Sequence, residues 1–275
     1  MAINYTTKFQ KALDQRYTMK SLSDSFFGAK FDFIGAKTAK VYNLTSQALG
    51  DYTRTGANRY GTPAELQDTT QELEITRDRS FAITVDKGNY IQQNMLKTAA
   101  NVLKIQNDER YTPETDLYKF TVLSAGATAA SQVATAAITA SNAYEKFLDG
   151  QVALDNAQVS RTGRIAIVSP AFYKFIKLDS SFTKASDLAM KTLINGQVGE
   201  IDGVKIVLGY SAILPANTSF IITHPTGNVC PKQLDEVKVH QDPPGVSGIL
   251  VEARWIYDAF VLENKQNGVF WHKIA

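Results

Sequence analysis

Three residues far apart in the sequence are of the types that hydrolytic chemistry needs. Ser211, Asp235 and His240 follow one another in the order nucleophile, acid and base, and a serine hydrolase brings such residues together through its fold. Ser211 lies in the segment GYSAI, which is similar to a nucleophile elbow. However, Ile213 replaces the second glycine, which lets helix and strand approach closely in such an elbow. A serine hydrolase that uses Ser211 is therefore only an alternative hypothesis.

The sequence contains no other recognisable site for catalysis, a cofactor or a metal. Neither the nucleotide P-loop pattern nor the dinucleotide fingerprint is present. His224, His240 and His272 are far from one another and from Cys230, and no helical spacing places two of them one turn apart. We therefore predict that the protein is not an enzyme and that it holds no cofactor and no metal.

Charge, cysteine content and apolar stretches argue against several further classes of protein. With 29 Lys+Arg against 27 Asp+Glu, the net charge of +2 gives no strong field to attract nucleic acid or a membrane. The single cysteine excludes an internal disulfide. The uncharged stretch from 120 to 144 is rich in Ala, Ser and Thr, so we expect no membrane span there. The N-terminus has no apolar stretch of the kind that a secretion signal needs.

The segment ELEITRDRSFAITVDKGNY, from Glu72 to Tyr90, has the period of β-strands. Apolar residues alternate with polar ones on both sides of a charged step, which predicts strands with one apolar face; these residues are Leu73, Ile75, Phe81, Ile83 and Val85. A two-stranded ribbon alone is marginally stable in water, so something must cover this face. The charged step consists of Arg77, Asp78 and Arg79; it is either a solvated turn or a set of partners for charges on a neighbouring subunit.

The first forty residues form a basic segment with many aromatic residues. Seven lysines and arginines against three aspartates give it a local charge of +4. Its seven aromatic side chains include Phe26 and Phe27, which are too many for a solvated tail. Two interpretations stay open: these residues are anchors that dock on another subunit, or they belong to an ordinary element of their own domain.

The rest of the chain alternates irregularly between helix and strand patterns. Residues 41–86 are typical of a long loop on a two-stranded stem. Helical spacing covers 89–108, and a second helix start is predicted at Thr112, followed by Pro113 at the first helical position. A further helix is predicted at 144–156 and a buried strand at 164–168. For the alanine-rich stretch 125–143, the sequence does not distinguish close packing from a loose excursion. This irregular order favours an α+β fold over a regular parallel sheet.

Several segments, in this order, resemble the major capsid proteins of tailed bacteriophages, which share the Hong Kong ninety-seven fold. The segments are LGDYTRTG, ITRDRSFAITVD, YTPETDLYKF, TASNAYEKFLDG, RIAIVSPAFYKFI, VGEIDGVKIV and the C-terminal run VHQDPPGVSGILVEARWIYDAFVLENKQNGVFWH. They cover nearly the whole chain, and the C-terminal run is the most characteristic of them.

The resemblance implies a division of the chain into four parts. These are an N-terminal arm at 1–40, an extended β-loop at 41–86, a peripheral domain with a long spine helix at 87–160 and 246–262, and an axial domain at 161–245 and 263–275. It also implies that a neighbouring subunit covers the apolar face of the ribbon. The subunit-contact candidates are therefore Leu73, Ile75, Arg77, Asp78, Arg79, Phe81, Ile83, Val85, Phe26 and Phe27.

The implied function is a self-assembling shell of hexamers and pentamers around double-stranded DNA, without sequence specificity and without a membrane. The virion capsid, assembled in the host cytoplasm, is the expected location; a separate scaffolding protein, a portal and a decoration protein are possible partners. Some relatives cross-link subunits through a lysine of the extended loop, but residues 41–86 contain no lysine, so we expect noncovalent contacts. Encapsulin-like compartments of the same fold and phage tail or adaptor components remain alternatives.

Overall fold

The structure, a computed structural model, describes residues 17–18, 20–28, 37–44, 46–63, 65–92, 98–184 and 199–275. The strands are β1 (Thr38–Leu44), β2 (Asp68–Glu74), β3 (Arg77–Asp86), β4 (Val133–Thr135), β5 (Ile165–Val168), β6 (Glu200–Ile201), β7 (Val204–Leu208), β8 (Thr218–Thr223), β9 (Asn228–Val229), β10 (Lys232–Gln241), β11 (Gly248–Tyr257), β12 (Phe260–Val261) and β13 (Val269–Lys273). The α-helices are α1 (Lys87–Gln92), α2 (Ala99–Gln106), α3 (Thr112–Ala129), α4 (Ala143–Asn156), α5 (Pro170–Leu178) and α6 (Ser180–Lys184).

The largest sheet has six strands in the order β4-β13-β8-β5-β7-β6. Every residue of β8 is buried, because alternate side chains point to opposite faces and both faces are covered. On one face, Phe147 of α4 and Phe172 of α5 pack against Phe220 of β8. On the other face, α3 packs through Phe120 and Leu123. The sheet is therefore enclosed by helices of its own chain.

A second sheet has three antiparallel strands in the order β10-β11-β3. Its covered face carries Trp255 and Tyr257, which pack against side chains from α2, from the turn after it and from α3. Tyr111 stacks on Trp255 with the ring centroids 4.2 Å apart. Aromatic rings bury a large apolar area per residue, so this cluster fixes the helices on the sheet.

The two-stranded stem predicted for residues 41–86 is present, but it is built differently from the expectation. β2 pairs with β1, from Thr38 opposite Glu74 to Leu44 opposite Asp68. β3 pairs instead with β11 of the three-stranded sheet. The prediction that the whole run 72–85 belongs to the stem is therefore wrong. Alternation of apolar residues identifies a strand and its buried face, but it does not name the partner strand.

The helix start predicted at Thr112 is confirmed, since α3 begins there with Pro113 in its first turn, but the helix is not a separate one. α2 begins after Thr98, whose side chain accepts a hydrogen bond from the Asn101 N–H at 3.3 Å. It then continues through a π-helical turn, Asn107–Tyr111, directly into α3, and no side chain caps the start of α3. Pro113 lacks an N–H, and the π-helical turn ends at Tyr111, two residues before it.

Other sequence predictions are confirmed. α4 matches the helix predicted at 144–156, and β5 matches the strand predicted at 164–168. The turn at 242–245 joins β10 to β11, with positive φ at Asp242 and Gly245. The alanine-rich stretch 125–143 contains the end of α3 and the short strand β4, which runs parallel to β13. The mixture of helices with mainly antiparallel strands is an α+β fold, as predicted.

Candidate subunit-contact surface

The base of the β1–β2 ribbon is covered by its own chain. Leu73 and Ile75 are only 2% and 3% exposed, and they pack against Val229 and Leu262. Gln71 fixes the ribbon further, because its side-chain oxygen accepts a hydrogen bond from the Glu263 N–H at 3.1 Å. The expectation that a neighbouring subunit covers Leu73 and Ile75 is therefore wrong: residues from later in the sequence of the same chain already do so.

The apolar residues of β3 also face their own chain. Val85 is buried, and Phe81 lies 5.7 Å from the Trp255 ring, centroid to centroid. Phe81 and Ile83 are half-buried. The reason is the same as for the ribbon base: the strand that covers them lies some 170 residues later in the sequence, at β11. Among the apolar residues of β3 named above, Phe81 and Ile83 keep apolar area that a second subunit can contact.

The charged step Arg77, Asp78 and Arg79 is part of β3 and finds its partners within the chain. Arg77 and Arg79 both approach Glu114 of α3, each with a nitrogen 2.8 Å from its carboxylate. Asp78 binds Arg254 of β11 at 2.5 Å, and this hydrogen bond holds the pKa of Asp78 below its ordinary value. The step is thus part of a strand and not a turn. Since Asp78 and Arg79 stay about half exposed beside these partners, pairing with charges on a neighbouring subunit remains a prediction.

Asp258 holds the corner between β2 and β3, a role that no sequence pattern indicates. Its carboxylate accepts hydrogen bonds from the Thr76 N–H at 2.8 Å and the Thr76 hydroxyl at 3.0 Å. It also accepts one from the Tyr118 hydroxyl of α3. Burial first, and then this hydrogen bond, raise the pKa of Tyr118. Asp258 therefore joins the ribbon, α3 and the end of β11 at one point.

Phe26 and Phe27 dock on their own chain. Phe26 is fully buried, with its ring 5.3 Å from the Phe120 ring of α3, and Phe27 is packed beside it. Asp116 of α3 accepts hydrogen bonds from this segment, from the Ser23 hydroxyl at 2.6 Å among others. Of the two interpretations of the aromatic residues, docking on another subunit is thus wrong for Phe26 and Phe27. Residues 1–16 and 29–36 of the expected arm lie outside the described residues.

One group of uncovered apolar side chains lies on the outer part of the ribbon and on the loop that it carries; others, such as Ile91, Val152 and Leu178, lie each on a different helix. The members of the first group are large side chains that are more than half exposed, and we name them the loop surface: Tyr42, Leu44, Leu49, Tyr52, Tyr60 and Leu66. The loop has some order of its own, since the Tyr52 and Tyr60 rings meet edge to face at 4.9 Å. A long loop was predicted here from the sequence, but these tyrosines and leucines were not predicted as contact residues.

The residues considered for hydrolysis are not brought together. Asp235 and His240 both lie on β10, five residues and therefore roughly 17 Å apart, on opposite faces of the strand. Asp235 is bound by Lys232, and His240 lies 3.2 Å from Glu252. Ser211 is in a short turn after β7, which belongs to the other sheet. No hydrolytic site is formed by these three residues.

Among the described residues, no three histidine, cysteine or acidic side chains are grouped so that they could bind a metal ion. Cys230 is half-buried, and burial raises the pKa of its thiol, so it is not an activated nucleophile. In the described part of the chain, no helix has the length and apolar character to cross a membrane.

The whole fold was compared with known proteins. Neither a protein-family model nor a curated protein sequence matches the chain. Solved structures do match over nearly the full length. The capsid structure of cyanophage P-SCSP1u has a TM-score of 0.80 at 9% identity, covering 98% of this chain and 93% of the other. The mature capsid of bacteriophage PhiM1 has a TM-score of 0.77 at 12% identity, covering 98% and 92%.

This is the tailed-phage major capsid fold. A structure from Mycobacterium phage Che8 supports the same assignment, with a TM-score of 0.73 at 17% identity and coverage of 98% of this chain and 96% of the other. The resemblance inferred from the order of sequence segments is thus confirmed at the level of the fold. Identities this low show the capsid fold and not the contacts of individual residues.

Proposed function

We propose that the chain is a major capsid protein whose copies form hexamers and pentamers and close into an icosahedral shell around double-stranded DNA. Its role is structural and not enzymatic, its place is the virion capsid, and its assembly occurs in the host cytoplasm. The observation that carries the proposal is the match to capsid structures over almost the whole length of both chains. The division into arm, extended loop, peripheral domain and axial domain is part of the same proposal.

The loop surface supports this function physically. A monomer rarely exposes a long series of large apolar side chains, because their contact with water is unfavourable. In a shell, each copy makes heterologous contacts with several neighbours, and the loop surface is available for one of them. Phe81 and Ile83, which keep part of their apolar area exposed, remain contact candidates on the three-stranded sheet.

The charge of the chain agrees with a shell wall around DNA. With a net charge of +2, the subunit does not hold phosphates strongly, and packaging DNA of any sequence requires no base-specific contact.

Residues 41–86 contain no lysine, so the contacts of the loop are noncovalent. A separate scaffolding protein, a portal and a decoration protein are the further partners of this proposal.

Electron microscopy of the purified full-length protein tests the proposal. We expect closed, roughly spherical shells of uniform size, and nuclease-protected DNA inside shells isolated from virions. Shells that contain an enzyme and no DNA would instead support an encapsulin-like compartment. Open rings or tubes would support a tail or adaptor component, and a soluble monomer with hydrolytic activity abolished by Ser211→Ala would overturn the proposal.

A further inference from the structure

The three histidines of the chain lie in three different surroundings. His224 has both ring nitrogens in hydrogen-bonding distance of a partner, the Thr226 hydroxyl at 2.8 Å and the Thr162 carbonyl at 3.0 Å. His240 lies at the surface with its Nε2 3.2 Å from Glu252. His272 is 1% exposed, and neither of its ring nitrogens has a hydrogen-bond partner. A buried polar group without a partner is rare and costly, so His272 requires a physical explanation.

His272 lies inside the six-stranded sheet, on the face that α4 covers. It is the fourth residue of β13, opposite Phe220 of β8 and Ala134 of β4. Its ring stacks on Phe220 with the centroids 5.0 Å apart and the planes at 17°. Phe270, two residues earlier on the same face, packs in the core cluster that includes Phe147 of α4. The surroundings of the imidazole within this layer are therefore apolar and aromatic.

α4 approaches this face of the sheet closely. A Cβ on Gly150 of α4 would lie 2.9 Å from two atoms of the Phe270 ring, so the helix is packed as tightly as a glycine permits. The charged groups that bear on His272 are Lys146 and Asp149, both of α4, and they bind each other at 2.9 Å. β4 and β8 contribute no charge at this position, since they present Ala134 and Phe220.

An imidazolium ion at this position has little to stabilise it. Burial is the main reason why the pKa of His272 lies below its ordinary value of 6.5, and Lys146 lowers it further, while Asp149 acts in the opposite direction. The carboxylate of Asp149 is already bound to Lys146. His272 is therefore neutral in the folded chain at neutral pH, and protonating it requires water or a counter-charge to reach the ring.

We propose that His272 makes the packing of α4 on the six-stranded sheet sensitive to acid. When the imidazole takes up a proton, the charged ring is excluded from the layer between β13 and α4, and α4 separates locally from the sheet so that water reaches the ring. The element that responds is α4, because the backbone of β13 is held on both sides by β4 and β8. This inference does not depend on the proposed shell.

The direction of the pH dependence follows from the two protonation equilibria. Above about pH 6.5 both the folded and the unfolded chain hold a neutral imidazole, and the free energy of unfolding loses nothing through His272. As the pH falls below that value, the unfolded chain takes up a proton and the folded chain does not. The unfolding equilibrium constant then rises by up to about tenfold per pH unit, until the pH reaches the pKa of His272 in the folded chain.

Thermal and urea unfolding of the full-length protein between pH 7.5 and 5 tests the inference. His272→Phe removes the titrating group and places another aromatic ring against Phe220, and His272→Leu is a smaller apolar alternative. His224→Gln and His240→Gln are the matched controls. We expect wild type and both controls to lose stability as the pH falls, and the His272 variants to show a much flatter profile. His272 variants that follow the wild-type profile would overturn the proposal.

Hydrogen exchange of the wild-type protein gives a test that needs no substitution. After correction for the chemical effect of pH on exchange, the amides of α4 should lose protection at pH 5 at least several-fold more than those of α3. α3 packs on the opposite face of the same sheet and serves as the internal reference. Equal loss in both helices would mean general acid unfolding and would contradict the role of His272.

Discussion

Strand β8 and the loop surface carry the same kinds of side chain in opposite surroundings. Phe220, Ile221 and Ile222 of β8 are completely buried, whereas Leu49 and Tyr60 of the loop are 102% and 92% exposed. Helices of the same chain enclose β8 on both faces, and nothing in the described part of the chain covers the loop surface. The core of this subunit is therefore complete in itself, while the loop surface has no cover within the described chain, as the proposed contact with another copy requires.

The base of the β1–β2 ribbon lies between these two extremes. Leu73 and Ile75 are buried, but the cluster that covers them contains few other buried residues, Val229 and Leu262. Replacing a large apolar side chain by alanine should therefore lower the free energy of unfolding by different amounts in the sheet, at the ribbon base and in the loop.

Substitution in the sheet should have the largest effect. Phe220 contacts four aromatic rings, those of Phe147, Phe172, Phe270 and His272. Phe220→Ala leaves a cavity in this layer, and we expect a loss of about 3–5 kcal/mol in the free energy of unfolding. Urea denaturation of the subunit measures it. Phe220→Leu, which keeps most of the volume, should lose clearly less; equal losses would show that the site is not tightly packed.

Two leucines, one at the ribbon base and one in the loop, should respond differently to the same substitution. Leu73→Ala removes a buried side chain, but the small cluster around it can relax, so we expect a loss of about 2 kcal/mol in the free energy of unfolding. Leu49→Ala removes the same atoms from a fully exposed position, and the change should stay within about 0.5 kcal/mol. If Leu49→Ala destabilised the isolated subunit as much as Leu73→Ala, the loop would be packed on its own chain.

Individual strands and helices could be predicted from the sequence because the patterns that indicate them are local. Alternation of apolar residues predicted the strand now seen as β3, and helical spacing predicted α4. The partner strands could not be predicted, since β3 and β11 are joined by contacts between residues such as Phe81 and Trp255 that are far apart in the sequence. For the same reason, the resemblance to capsid proteins led to the expectation that a neighbouring subunit buries Leu73, whereas Val229 and Leu262 bury it within the chain.

The candidate contact surface was only partly predictable. The extended loop was predicted from the sequence pattern of residues 41–86. Its exposed leucines and tyrosines, however, resemble ordinary core residues in a sequence, and they can be distinguished only when the core is known to be complete without them. Conversely, Arg77, Asp78 and Arg79 resembled surface charges, and their partners Glu114 and Arg254 became visible only when α3 and β11 were placed beside them.

The proposed contact between the loop surface and another copy of the chain is tested most directly by changing the loop surface and leaving the rest of the subunit intact. Leu49, Tyr52 and Tyr60 are replaced together by serine, and the fraction of protein in shells is measured by sedimentation velocity at a fixed concentration. The control replaces Thr53, Thr55 and Thr62 of the same loop by serine, which changes little apolar surface. We expect shells from the wild type and the control, and a folded subunit with an unchanged melting temperature but no shells from the first variant. Normal shells from that variant would contradict the claim that another copy of the chain covers the loop surface.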